Sequence, residues 1–266
     1  MNKIIDCITF FNENFIFDLR YQIIKDYVTN LIICESEYDH RGKPKKLNFN
    51  YKKYQNDKKI IYIVHQKPFK DENPWANQAN QREFILENIS FANDEDYIFF
   101  SDPDEIPNTE ILKNFKLSKK YGIFFQKSFN YKFNLFNEFE TPWEGTRVCK
   151  KKNLKSIDYM RQKVLSKNLN YSFFRFNKEK NIEIFKNGGW HFNNIMSAEK
   201  ISLKLKTFAH KEYSSSKFSD PQIIQKKIDE KIDLFDRGYK YKKINLDTSF
   251  PDYLINNKLD YKEFII

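Results

Sequence analysis

The sequence predicts an α/β fold with a mostly parallel central sheet flanked by helices. Short apolar runs of strand length alternate with segments of helical periodicity over the first hundred residues. The chain has 266 residues, 40% of them hydrophobic and 17% aromatic, enough to bury one large core. Such a composition excludes a largely disordered chain.

Lys3 to Phe10 is the first apolar run, and Phe15 to Val28 places Phe15, Leu19, Ile23 and Tyr27 at helical spacing. Asn30 to Glu35 is a second buried strand. Residues 39–59, rich in Lys, Asn and Tyr around Gly42 and Pro44, predict a long exposed loop. Ile60 to His65 is a third strand, Asn77 to Ala92 a helix, and Asp96 to Phe100 a fourth strand. In such an order ligands sit beyond the carboxyl ends of the strands. Tyr121 to Lys150 reads as strands or hairpins that add antiparallel pieces. Ala198 to Leu205 and Pro221 to Phe235 follow as helices, with Ile224, Ile228, Ile232 and Phe235 on one face of the second. The last thirty residues are polar and carry no clear pattern. The expectation is one domain over 1–266: a nucleotide-binding half (1–110), an acceptor and metal half (111–210), and a C-terminal helical extension (211–266).

Lys plus Arg number 46 against 36 Asp plus Glu, and the net charge of +10 suits phosphorylated small molecules, nucleic acid or an anionic membrane surface alike. Cys7, Cys34 and Cys149 lie far apart without CxxC spacing, which excludes a disulfide framework and a cysteine zinc site and fits a reducing compartment. With six glycines, neither GxGxxG nor the P-loop pattern can be built, so phosphate must be held by side chains or a metal. No apolar run reaches the ~18–20 residues of a membrane span, and Met1-Asn2-Lys3 leads straight into a strand without a signal h-region. The expected location is cytoplasmic, with peripheral contact at the membrane.

The sharpest local feature is Ser101-Asp102-Pro103-Asp104-Glu105, where an apolar strand ends in three carboxylates. Clustered carboxylates repel unless a cation neutralises them, and Mg²⁺ or Mn²⁺ typically takes one or two of them together with phosphate oxygens. The alternative is an acidic turn or helix cap. His191, after the paired Gly188 and Gly189, either completes a metal shell or is a packed, hydrogen-bonded residue. Trp190 is either core or a sugar-stacking platform. Glu35 ends the second strand, placed to accept from ribose hydroxyls, and the basic residues after it, Lys43 among them, could meet phosphate; a solvated loop is the competing reading. Asn12, Glu13, Gln81 and Arg82 are weaker signals of the same kind. Glu144, between Pro142, Trp143 and Gly145, is either a desolvated base or a surface acid paired to Arg147. His210 ends the helix that begins near Ala198 and suits its negative end.

Taken together these pieces resemble glycosyltransferase family 17. The similarity runs from Ile5-Asp6-Cys7, Phe11-Asn12-Glu13 and Leu19-Arg20 through Cys34-Glu35-Ser36 and His40-Arg41-Gly42-Lys43-Pro44. It continues through Trp75, Asn80-Gln81-Arg82 and Ser101 to Pro107, and ends at Gly189-Trp190-His191-Phe192. The resemblance implies a GT-A-like nucleotide-sugar-binding fold and an inverting transferase, with UDP-GlcNAc as the favoured donor. In that picture Asp102 and Asp104 form a DxD motif holding Mn²⁺ or Mg²⁺, with His191 as third ligand. Asn12, Glu13, Glu35, Lys43, Arg82, Asp102 and Trp190 line the donor, and Glu144, or in reserve Glu105, is the base. The implied partners are a nucleotide-sugar donor and a glycan or glycolipid acceptor, in glycan biosynthesis. The rival readings are a catalytically silent nucleotide- or glycan-binding module and a basic nucleic-acid-binding protein, the latter prompted by Tyr, Phe and Lys interleaved over Asn48 to Lys59. A two-metal phosphoesterase needs more converging carboxylates and histidines than this chain offers.

Overall fold

A computed structural model describes residues 2–69, 73–172, 174–207 and 211–266; His210 lies outside them, as does the end of the segment expected to carry it. Strand β1 (Ile4–Phe10) leads into helix α1 (Asn14–Ile24), then β2 (Asn30–Ser36), the short α2 (Tyr51–Tyr54) and β3 (Ile60–His65). Helix α3 (Pro74–Glu87), β4 (Tyr97–Ser101), β5 (Glu105–Pro107) and α4 (Thr109–Leu112) follow. The second half holds β6 (Tyr121–Asn130), β7 (Leu135–Phe136), β8 (Trp143–Lys150), α5 (Ile157–Lys163), β9 (Ile182–Asn193) and α6 (Ala198–Thr207). Helices α7 (Ser216–Ser219) and α8 (Pro221–Glu230), strand β10 (Lys242–Lys243) and helix α9 (Asp252–Asn256) close the chain.

Among the described residues the strands form one sheet in the order β10-β7-β6-β8-β4-β1-β2-β3, with β9 pairing both β6 and β5. The four strands expected from the first hundred residues are parallel, in the order β3-β2-β1-β4. Beyond β4 the sheet turns mixed: β8 runs antiparallel to both β4 and β6, and β9 lies parallel to β6. The apolar runs were too uniform to show a period of two because both faces are covered. Ile4, Ile8, Leu31, Ile33 and Phe99 enter one core, while Ile5, Cys7, Ile32, Cys34, Ile98 and Phe100 enter the other. All three cysteines are free and fully buried, and burial raises each thiol's pKa, that of Cys149 to about 12.

Three local expectations shift. The third helix starts at Pro74 rather than Asn77, because the Asn73 side chain accepts from the Trp75 amide and Pro74 takes the first turn. The helix from Pro221 stops at Glu230, where Lys231 adopts a left-handed conformation (φ 59°). The stretch 39–59 is not exposed throughout: Phe49 and Tyr54 are buried, with their rings against Phe17. The C-terminal segment also joins the main core, where Phe250, Leu254 and Tyr261 are buried and Phe264 packs its ring against Phe15.

Candidate active site

The carboxyl ends of β1 and β4 meet at a polar floor. Arg20 on α1 is fully buried and grips Asp6 of β1, with Nη2 2.6 Å from Oδ1 and Nε 3.1 Å from Oδ2. Its other amino group donates to the Glu105 carbonyl, and Nη2 reaches Ser101 Oγ at 3.1 Å. One guanidinium therefore ties the first strand to the turn that follows the fourth. A buried ion pair of this kind holds only when its remaining donors are satisfied, and here Ser101 and the turn carbonyl satisfy them.

The opposite side of the turn is fixed by β9. Glu105 pairs with His191, and Pro107 with Gly189. Gly189 has φ 132°, and a Cβ there would stand 2.0 Å from the Ile106 carbonyl oxygen, so only glycine permits this approach.

Above this floor stands a ring of cations, of which the sequence singled out Arg82 but neither Arg161 nor Lys204. Arg161, on α5, places Nη2 2.6 Å from Asp102 Oδ2 and 2.7 Å from Glu105 Oε1. The helix carrying it is seven residues long and starts where Ser156 Oγ accepts from the Tyr159 amide. Arg82 Nη2 lies 4.0 Å from Asp102, while its Nη1 bonds Asp158 at 2.8 Å. Lys204 of α6 lies 3.9 Å from Asp104 Oδ2. Burial favours the neutral form of Asp102, but Arg161, Arg82, His191 and Lys204 outweigh it and hold its pKa below the ordinary value. The chain itself thus supplies part of the positive charge that faces the acidic turn.

The three expected metal ligands divide. Asp102 turns to Arg161, whereas Asp104 Oδ1 faces His191 Nε2 at 3.7 Å. No group of three or more His, Cys, Asp or Glu side chains is gathered as a ligand set among the described residues. His191 is buried and stacked on Trp143, its ring centroid 4.4 Å away, and its Nδ1 has no hydrogen-bond partner. Asp104 and His191 are donors of the kind a divalent cation takes, and they offer two positions of such a shell.

Several donor-side expectations move. Glu35 is fully buried and spent: Oε1 accepts from Lys45 Nζ (2.6 Å) and the Asn48 amide (2.7 Å), Oε2 from the Phe49 amide (3.0 Å) and the Tyr62 hydroxyl (2.8 Å). It organises the following loop and has no acceptor capacity left for ribose. Lys43 is exposed; its amide donates to Asp39 Oδ1 at 2.9 Å and its carbonyl accepts from the Asp39 amide at 2.8 Å. Trp190 is core, with Nε1 donating to the Ser249 carbonyl at 2.9 Å; Trp143 is the indole at the site, donating to Glu105 Oε1 at 2.7 Å. Glu105 receives Trp143, both amino groups of Arg161 and the Asp102 amide, and is completely buried, so it cannot serve as a base.

Glu144 pairs with Arg147 at 3.0 Å, and Ser166 donates to it from both its amide and its hydroxyl. Arg147 is buried, which lowers its pKa to about 10, with Arg161 adding and Glu144 opposing. Asn12 and Glu13 line a pocket between the start of α1 and α6, together with Lys200 and Lys204. Burial raises the pKa of Glu13 against the amides of Phe11 and Asn12 that bond it and the charge of Lys204. His40 Nε2 lies 2.9 Å from Gln81 Oε1; burial lowers its pKa despite that contact.

Carboxylates, a histidine and several cations thus gather at one edge of an α/β sheet, where folds of this class place their ligands. The model of glycosyltransferase family 17 matches residues 1–264, and the chain belongs to that family. The order β3-β2-β1-β4 with the acidic turn after β4 is the GT-A-like arrangement that the resemblance implied. A search of curated proteins returns no significant match. Among solved structures, the chain is similar to a glycosyltransferase involved in the glycosylation of the major capsid of PBCV-1 (11% identity, 70% of this chain and 82% of that one, TM-score 0.33). It is also similar to a 4-diphosphocytidyl-2C-methyl-D-erythritol synthase (12% identity, 57% and 76%, TM-score 0.34). No helix among the described residues is long and apolar enough to cross a membrane.

Proposed function

We propose that this protein is a metal-dependent inverting glycosyltransferase that moves GlcNAc from UDP-GlcNAc to a hydroxyl of a glycan or glycolipid acceptor. The observation that carries the reading is the facing pair Asp104 and His191, 3.7 Å apart at the end of β4, with Arg161, Arg82 and Lys204 around the same turn. Asp104 and His191 would hold Mn²⁺ or Mg²⁺, which when bound supplies Lewis-acid stabilisation of the leaving diphosphate. Arg82 and Lys204 would orient the diphosphate oxygens, and Asn12 and Glu13 would line the nucleoside side of the pocket.

Glu144 is the proposed base. Its carboxylate is 29% exposed, and the Ser166 hydroxyl donating to it marks the kind of position that an acceptor hydroxyl would take before losing its proton. Arg147 keeps that carboxylate oriented through the ion pair.

The test is a thermal-shift panel of UDP, GDP, CMP and their sugar conjugates, each with and without Mn²⁺. A ligand at ~100 times its Kd stabilises the folded state by ~2.7 kcal/mol. A shift confined to UDP species plus metal supports the reading, and no shift with any nucleotide in folded protein removes it in favour of a silent module.

A further inference from the structure

Between α5 and β9 the chain carries an apolar surface that is given no part in the proposed transfer reaction. Leu169, Tyr171, Phe174 and Phe176 are all exposed, the two phenylalanines at 80% and 81%. Monomeric soluble proteins seldom expose large apolar side chains this close together without a function. From residue 174 on the backbone bonds to itself: the Phe176 amide donates to the Phe174 carbonyl at 3.0 Å, and the Lys178 amide to the Arg175 carbonyl at 3.1 Å. These bonds make a turn that presents both rings outward.

Charge surrounds the rings. From Lys163 to Lys180 the chain carries five Lys or Arg against the single acid Glu179, whose carboxylate lies 3.6 Å from Lys120. Beside it, Lys119, Lys120, Lys150 and Lys152 line a groove that reaches Asn181. Glu95 offsets only part of that charge, through Lys150 and Lys152.

The register fixes where this segment rejoins the sheet. Ile182 pairs with Tyr121, Tyr121 with Cys149, and Cys149 with Ile98, near the amino end of β4. Asp102 and Asp104 follow the opposite end of that strand.

We propose that the turn at 174–178 docks this protein on a bilayer of anionic phospholipid, with Phe174 and Phe176 entering the boundary between headgroups and acyl chains and the surrounding lysines facing the phosphates. Phenylalanine has no polar tip to keep in water, and paired apolar and basic signals are what reversible peripheral binding requires. The inference is independent of the proposed reaction.

The experiment is co-sedimentation with phosphatidylcholine vesicles, with and without phosphatidylglycerol, for the full chain and for F174S/F176S. The intact protein is expected to sediment with the anionic vesicles only, and the double variant to partition at least about tenfold less at an unchanged melting temperature. A K178S variant should bind less while leaving the rings in place. Wild-type protein remaining in the supernatant overturns the proposal, as does equal sedimentation of the double variant. Binding of single-stranded RNA that requires both rings, with no vesicle binding, overturns it equally. Donor-induced thermal shifts, measured without vesicles, report separately on the transfer reaction.

Discussion

Arg161 Nη2 stands 2.6 Å from Asp102 and 2.7 Å from Glu105, so a single guanidinium joins an acid at the mouth of the site to one that is wholly buried. Removing it leaves the Glu105 carboxylate without its main countercharge in a place water does not reach. R161M should lose ~3–5 kcal/mol in urea unfolding. A loss under ~1 kcal/mol, the range of surface pairs, would show that solvent already reaches Glu105.

Asp104 carries no comparable structural duty. Among the described residues its carboxylate meets longer contacts, His191 at 3.7 Å and Lys204 at 3.9 Å. D104N should therefore keep the wild-type melting temperature in buffer and lose the additional stabilisation that Mn²⁺ confers in the presence of UDP-sugar. Unchanged turnover in this variant would remove the metal from the proposed function.

Gly189 tests whether the turn's position matters. G189A forces a residue with a side chain to hold φ 132° and brings Cβ against the Ile106 carbonyl. The expected result is a loss of ~1–3 kcal/mol of stability together with weaker donor binding, because β5 must move away from β9. Full stability with full donor binding would mean that β9 gives way without disturbing the acids.

Glu144 separates binding from chemistry. E144Q should lower kcat by about 10²–10⁴, the range for one general base, with the donor-induced thermal shift intact. Retained kcat would return Glu144 to the surface-acid reading, held by Arg147 for stability alone.

His40 and His65 contribute to the acid limb of stability. Burial is the largest influence on both His40 and His65 and lowers their pKa from 6.5 in the folded state. Their contribution is complete above 6.5 and is lost as pH falls below it toward the folded values, at up to ~1.4 kcal/mol per pH unit for each proton taken up. Asp102, also lowered, loses its contribution only below its ordinary 3.8. Urea midpoints measured at pH 7 and pH 5 should therefore differ more for the wild type than for H40N. Equal differences would mean that His40 is already solvated when folded.

The parallel half of the fold and the acidic turn are legible because each depends on local pattern: an apolar run of strand length that stops abruptly in acids. Arg161 is not legible, since its partner Asp102 lies 59 positions away and its short helix buries only Ile157 and Met160. Glu35 looks like a ligand-binding acid at a strand end, but its four donors come from 10 to 27 residues later. Trp190 and Trp143 were indistinguishable in kind; the pairing of β9 with β5 turns His191 toward Trp143 and leaves Trp190 on the core face. Local pattern marks the edge of the sheet where these polar groups gather, and tertiary contacts decide which side chains reach it.

The sealed cysteines give the molecule an experimental convenience. With Cys7, Cys34 and Cys149 fully enclosed and their thiols held protonated, maleimide reagents should find no native target in the folded protein. A fluorophore attached through F174C would then report from one address, without background mutagenesis, on whether the ring it replaces leaves water when vesicles are added.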